Sequence, residues 1–162
     1  MTRKILFLLS LLSFLQSCVF LQTEIGKIEI KELSIDELKV FESSEMTLNN
    51  GDDIHLWSKI DIKYRDNPYL LFQVQILNDK DEILLLMEMD PLNIDTRIMC
   101  IEKIKDGVTE YSCEGRINDY IKPANTDHIE IAEDGIYKFK IVLTGVKENI
   151  IELRDCSLII KK

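Results

Sequence analysis

The stretch RIMCIEKIKDGVTEYSCEGRI, residues 97–117, is where the fold is read most directly. At its centre Asp106-Gly107 is a two-residue type I′ turn signal, because both residue types tolerate the positive φ such a turn needs. With that loop, Lys105 faces Val108, Lys103 faces Glu110 and Cys100 faces Cys113. The 105/108 pair exchanges hydrogen bonds and the pair type then alternates, so Cys100 and Cys113 fall on a non-hydrogen-bonded pair. Such pairs hold their Cα atoms about 4.5 Å apart, within the range a disulfide bridges. The expectation is a β-hairpin stapled by Cys100–Cys113, with Lys103 and Glu110 as a cross-strand charge pair. Cys156 is left over and is expected to be a buried small hydrophobe.

Working outward, the rest of the chain also has the period of strands. Ile54, Leu56, Ile60 and Ile62 lie on one face of Ile54–Tyr64, and Trp57, Lys59, Asp61 and Lys63 on the other. Ile25–Leu33 alternates in the same way. Tyr69–Leu77 and Glu82–Met89, joined by Asn78-Asp79-Lys80-Asp81, read as a hairpin of two largely buried strands. Ile129–Ile131, Ile136–Leu143 and Ile150–Ile160 complete the set. Ser34-Ile35-Asp36-Glu37 matches a capping box that would open a short helix over Ile35–Glu42; a strand over Glu37–Phe41 is the open alternative. Ala124 and Ala132 are the only alanines, and an Ile-rich, Ala-poor chain favours strands over helices. Turn signals recurring about every ten residues predict an all-β fold, a β-sandwich of about 8–10 mostly antiparallel strands.

The first residues are of another kind. Arg3 and Lys4 form a basic start, Ile5–Leu15 is apolar apart from Ser10 and Ser13, and Leu15-Gln16-Ser17-Cys18 follows. This is the layout of a secretory signal, too short in its apolar run for a good membrane span. Its end resembles the lipobox of bacterial lipoproteins. The resemblance covers residues 1–18 and implies cleavage between Ser17 and Cys18, with a diacylglycerol on the Cys18 sulfur and an acyl chain on its new amino group. The expected organisation is a signal peptide over 1–17, a short membrane tether over 18–24 and one β-sandwich domain over 25–162. Two or more buried acyl chains give stable anchoring. Val19 rather than Asp after the cysteine favours the outer membrane of the cell envelope. Export also places the remaining cysteines where a disulfide persists.

A second resemblance covers seven residues. Glu133-Asp134-Gly135-Ile136-Tyr137-Lys138-Phe139 resembles the Asp-x-Gly-x-Tyr-x-Cys corner of immunoglobulin-like domains, with Glu133 for Asp and Phe139 for Cys. It implies a turn at the Gly and a Tyr137 hydroxyl bonded back across the corner, with Trp57 as the matching core aromatic. Gly-x-Tyr-x-Phe also occurs in jelly rolls and C2-like folds, so the resemblance supports a sandwich and brings no activity.

The formal net charge is −9, and the leader carries two of the basic residues and no acid. The mature chain is therefore more acidic still, which opposes binding to nucleic acid or anionic head groups. No nucleophile elbow, phosphate loop or dinucleotide-binding glycine pattern occurs. His55 and His128 are far apart in sequence and sit in no metal-ligand spacing. Asn49, Asp52 and Asp53, or Asn78, Asp79 and Asp81, could offer oxygens to Ca²⁺, but both runs are turn-forming first. Trp57, Tyr64, Tyr69, Tyr111 and Tyr120 are candidates for stacking on a sugar or peptide if exposed; Trp57 reads first as core. The expectation is a lipid-anchored, non-catalytic protein-binding or structural lipoprotein without catalytic residues, metal or cofactor. It would meet the membrane through Cys18 and an envelope protein through its domain. A surface adhesin or carbohydrate-binding module is the alternative.

Overall fold

The computed structural model describes residues 22–34, 37–66, 68–118 and 128–162. Among these residues eleven strands form two sheets, and every pairing between them is antiparallel. The first sheet contains β1 (Glu24–Glu29), β11 (Ile150–Lys161), β4 (Asp53–Arg65), β8 (Val108–Ile117) and β7 (Ile94–Lys105), in that spatial order, with β9 (Ile129–Glu130) on β4 beyond the end of β8. The second contains β2 (Phe41–Glu42), β10 (Gly135–Gly145), β5 (Leu70–Leu77) and β6 (Ile83–Met89), with β3 (Met46–Leu48) also on β10. The expected all-β sandwich is the fold observed; β9 falls on the expected Ile129–Ile131, β2 overlaps the alternative strand over Glu37–Phe41 at Phe41 alone, and the short β3 is the strand that was not expected.

The alternation along β4 selects the core face. Leu56, Ile60 and Ile62 point between the sheets and meet Phe72, Val74 and Ile76 of β5 and Phe139, Ile141 and Leu143 of β10 in one buried cluster. Each such side chain removed from water contributes roughly 1.5–3 kcal/mol. Ser43 interrupts the edge between β2 and β3 without leaving β10 unpaired. Its N–H donates to the Phe139 carbonyl at 2.9 Å, and its Oγ accepts the Phe139 N–H at 3.0 Å. Tyr137 makes the corner bond that the motif implies, its hydroxyl donating to the Glu133 carbonyl at 2.7 Å.

Some expectations change. The first strand starts at Glu24, and Thr23 already exchanges both backbone hydrogen bonds with Lys162, at 2.8 and 2.9 Å. The expected tether over 18–24 thus loses its last two residues to the sheet. Ile35 and Asp36 of the capping box lie outside the described residues, but residues 37–42 form no helix. The Ser34 Oγ accepts the Lys39 N–H at 2.8 Å, and only Phe41–Glu42 pair as a strand. The largely buried strand expected over Glu82–Met89 is an edge strand instead, and Ile83, Leu84 and Leu86 are exposed. Its apolar run satisfied the pattern of a buried strand, but no strand of the described residues follows it in the sheet.

Candidate functional site

The hairpin of β7 and β8 has the register read from its turn. Asp106 and Gly107 have φ of 53° and 73°, and pairing runs from Lys105–Val108 through Lys103–Glu110 to Cys100–Cys113. Cys100 and Cys113 have Cα atoms 4.1 Å apart and sulfurs at disulfide distance. Cys113 is buried and Cys100 packs against the core. The pairing slips by one residue on β7 between Ile94 and Thr96 and again between Arg97 and Met99. At the second slip Gly115 lies against Ile94 and the Thr96 carbonyl so closely that a Cβ would not fit. From Met99 to Lys105 the register is unbroken.

That unbroken segment is the outer edge of the sheet. Cys100 faces inward, so Glu102 and Ile104 share its face, and Met99, Ile101, Lys103 and Lys105 point to the opposite, solvent face. The hairpin tip stands clear of the second sheet, so even the inward Ile104 is 71 % exposed. Ile98, Met99 and Ile101 are exposed as well. An exposed edge with this much apolar side chain is unusual, because edge strands generally carry features that discourage pairing. The opposite edge, β1, has such features: it is short, irregular between Glu24 and Gly26, and carries Lys27 and Glu29.

The charges around the tip divide unequally. Glu110 faces Lys103 in the register but ion-pairs with Lys63 and Arg154, each at 3.4 Å. Arg154, then Lys63, hold the Glu110 carboxyl below its usual range. Arg154 also reaches Glu152 at 2.9 Å and Asp61 at 3.7 Å. Lys103 and Lys105 join none of the ion pairs of the described residues. They line a shallow depression of about 360 Å³ with Lys63, Asp106, Val108 and Glu110. On the inward face Glu102 lies near Tyr64 and Tyr111, whose hydroxyl pKa values are raised, first by burial.

The other candidates are placed as follows. Ser17, Cys18 and Tyr120 lie outside the described residues. Cys156 is buried with a free thiol, and burial, then Asp155, push its pKa well up. The two runs weighed for Ca²⁺ and read first as turns engage oxygens in turn bonds and an ion pair. Asp52 accepts the Asn49 N–H at 2.8 Å and pairs with Lys162 at 2.6 Å. Asn78 accepts the N–H groups of Lys80 and Glu82 at 3.0 and 2.9 Å. Among the described residues no group of three or more potential ligands is placed to hold a metal.

Trp57 is buried, as its first reading as a core residue predicts, but it lies outside the cluster between the sheets, where the immunoglobulin-like motif would put its matching aromatic. Its strand position puts it on the outer face of β4, between Ile159 and Arg116 on the neighbouring strands. The indole N–H donates to Gln22 at 3.1 Å, and the Lys161 ammonium lies 3.7 Å from the ring centroid. A tryptophan covered in this way offers no free face for stacking. Its fluorescence, from the only tryptophan of the chain, is expected to be blue-shifted and resistant to iodide; red-shifted, readily quenched emission would show an open ring. The two histidines, distant in sequence, come together, with ring centroids of His55 and His128 6.1 Å apart. No spacing rule could find them, because β9 brings His128 beside the start of β4 only through pairing. No family model, curated protein or solved structure matches this chain.

Proposed function

We propose that the protein is a lipid-anchored lipoprotein of the bacterial cell envelope with a non-catalytic, protein-binding role. The anchor reading rests on Leu15-Gln16-Ser17-Cys18. The binding reading is carried by one observation, the long apolar edge of β7 left open to solvent. An uncovered strand edge is a template for another chain, and protein recognition uses it widely. The two readings fit together in space. Thr23 is already paired in the sheet, and five residues of extended chain from Cys18 reach at most about 17 Å. The domain therefore sits against the bilayer at the end of the sandwich where Thr23 and Lys162 meet. The outer membrane is the favoured site, from Val19 after the lipid-bearing cysteine.

The test begins with Cys18→Ala. In cells fed labelled palmitate, the unaltered protein is expected to take up label and sediment with the outer membrane. The variant is expected to be unlabelled and either soluble after export or held as precursor. A mature-sized, membrane-bound variant would refute the anchor. Photocrosslinkers placed around the whole domain surface in living cells then test protein binding; no protein adduct from any position would refute it.

A further inference from the structure

The geometry points to the β7 edge between Met99 and Lys105 as a docking site for an extended segment of a partner protein. That segment pairs antiparallel and carries two acidic side chains opposite Lys105 and Lys103, then two apolar ones opposite Ile101 and Met99. This inference rests on the protein-binding reading above and names its surface and its ligand class.

The backbone supplies half of the argument. In the β7–β8 ladder the 105/108, 103/110 and 101/112 pairs are the hydrogen-bonded ones, counted from the two-residue turn. The N–H and C=O groups of Ile101, Lys103 and Lys105 are thus directed at β8. Those of Cys100, Glu102 and Ile104 are directed away from the sheet. They form a regular row, unbroken by a register slip, that a further strand completes. Antiparallel addition is the slightly more stable choice per residue.

The side chains supply the other half. On the solvent face this row presents two exposed apolar residues, Met99 and Ile101, and then two lysines. Glu110, the acid nearest in register, is occupied by Lys63 and Arg154. In a chain of net charge −9, this strip is locally basic and seeks acid from outside. A second copy does not supply it. In a two-fold antiparallel pair, solvent-facing residues meet solvent-facing residues, and from Met99 to Lys105 these include no acid. Every such register leaves the lysines opposite apolar or basic side chains. The lysines therefore oppose self-pairing while selecting an acidic partner. The bilayer does not supply it either. Along β4 the anchored end, near His55, and the tip, near Arg65, are separated by roughly 30–40 Å of strand, so the lysines lie away from the membrane side.

The test uses the mature lipoprotein in detergent micelles and the peptide Thr-Glu-Thr-Glu-Thr-Val-Thr-Val-Thr, with a second peptide carrying Lys in place of both Glu. The acidic peptide is expected to bind at least tenfold more tightly. On binding it should slow amide exchange at Cys100, Glu102 and Ile104 and leave Ile101, Lys103 and Lys105 unchanged. The double variant Lys103→Glu, Lys105→Glu is expected to invert the preference, so its binding of the basic peptide shows that it is folded. Equal binding of the two peptides, no binding, or protection without this alternation would overturn the proposal. If the peptide fails while crosslinkers elsewhere on the domain still capture a partner in cells, the edge proposal falls and the protein-binding role stands. If both fail, both fall.

Discussion

Phe139→Ala is expected to lower the unfolding free energy by about 3–5 kcal/mol, the usual range for emptying a buried aromatic site. Small domains are stable by only about 5–15 kcal/mol, so the loss removes much of the margin. Phe139 has no exposed surface, lies on β10 between β2/β3 and β5, and faces the strands of the other sheet. Its backbone is held on both sides, by Ile76 in the ladder and by Ser43, so the site cannot easily collapse around the cavity. Urea titration should show a lower midpoint with an unchanged slope. Ile104→Ala is the matched control. It removes an aliphatic side chain that is 71 % exposed and is expected to change stability by no more than about 0.5 kcal/mol. A cost at Ile104 comparable to that at Phe139 would mean that the β7 tip is covered, and would count against an open edge.

Cys100→Ser is expected to destabilise by about 3 kcal/mol, the chain-entropy value for a loop of this length. The sequence separation is 13, so the bridge closes only the hairpin. Its effect is therefore to hold the two ends of the hairpin close together in the unfolded ensemble, which lowers the entropy lost when β7 pairs with β8. Thiol counting checks the bridge independently of stability. In a Cys18→Ser background, native protein should show no reactive thiol, because Cys156 is buried and its burial disfavours the thiolate. Denaturation without reductant should release one thiol, from Cys156, and reduction should add two more. Three thiols before reduction would mean that no bridge forms. Loss of the bridge also bears on the docking edge: a frayed β7 would no longer present the alternate amides of Cys100, Glu102 and Ile104 as a row.

The parts of the fold legible in the sequence are those governed by local rules. Period-two patterning assigned the inward face of β4 correctly at Leu56, Ile60 and Ile62, because pleating alone sets that alternation. Asp106-Gly107 determined the β7–β8 register, and with it the facing of Cys100 and Cys113, because a two-residue turn leaves no freedom in which residues pair. Tyr137 found the Glu133 carbonyl for the same reason, over a separation of four residues. Tertiary structure decided what depends on neighbours far along the chain. Ile83–Met89 has the composition of a buried strand, but it is an edge because, among the described residues, no strand pairs with its outer side. Trp57 shares its strand face with three charged residues and is nevertheless buried, because Gln22 and Lys161, from the two ends of the described chain, close over it. His55 and His128 meet only because β9 docks on β4. The open edge of β7 belongs to this second class: its lysines and apolar residues can be read in the sequence, but only strand order shows that their backbone is free to pair.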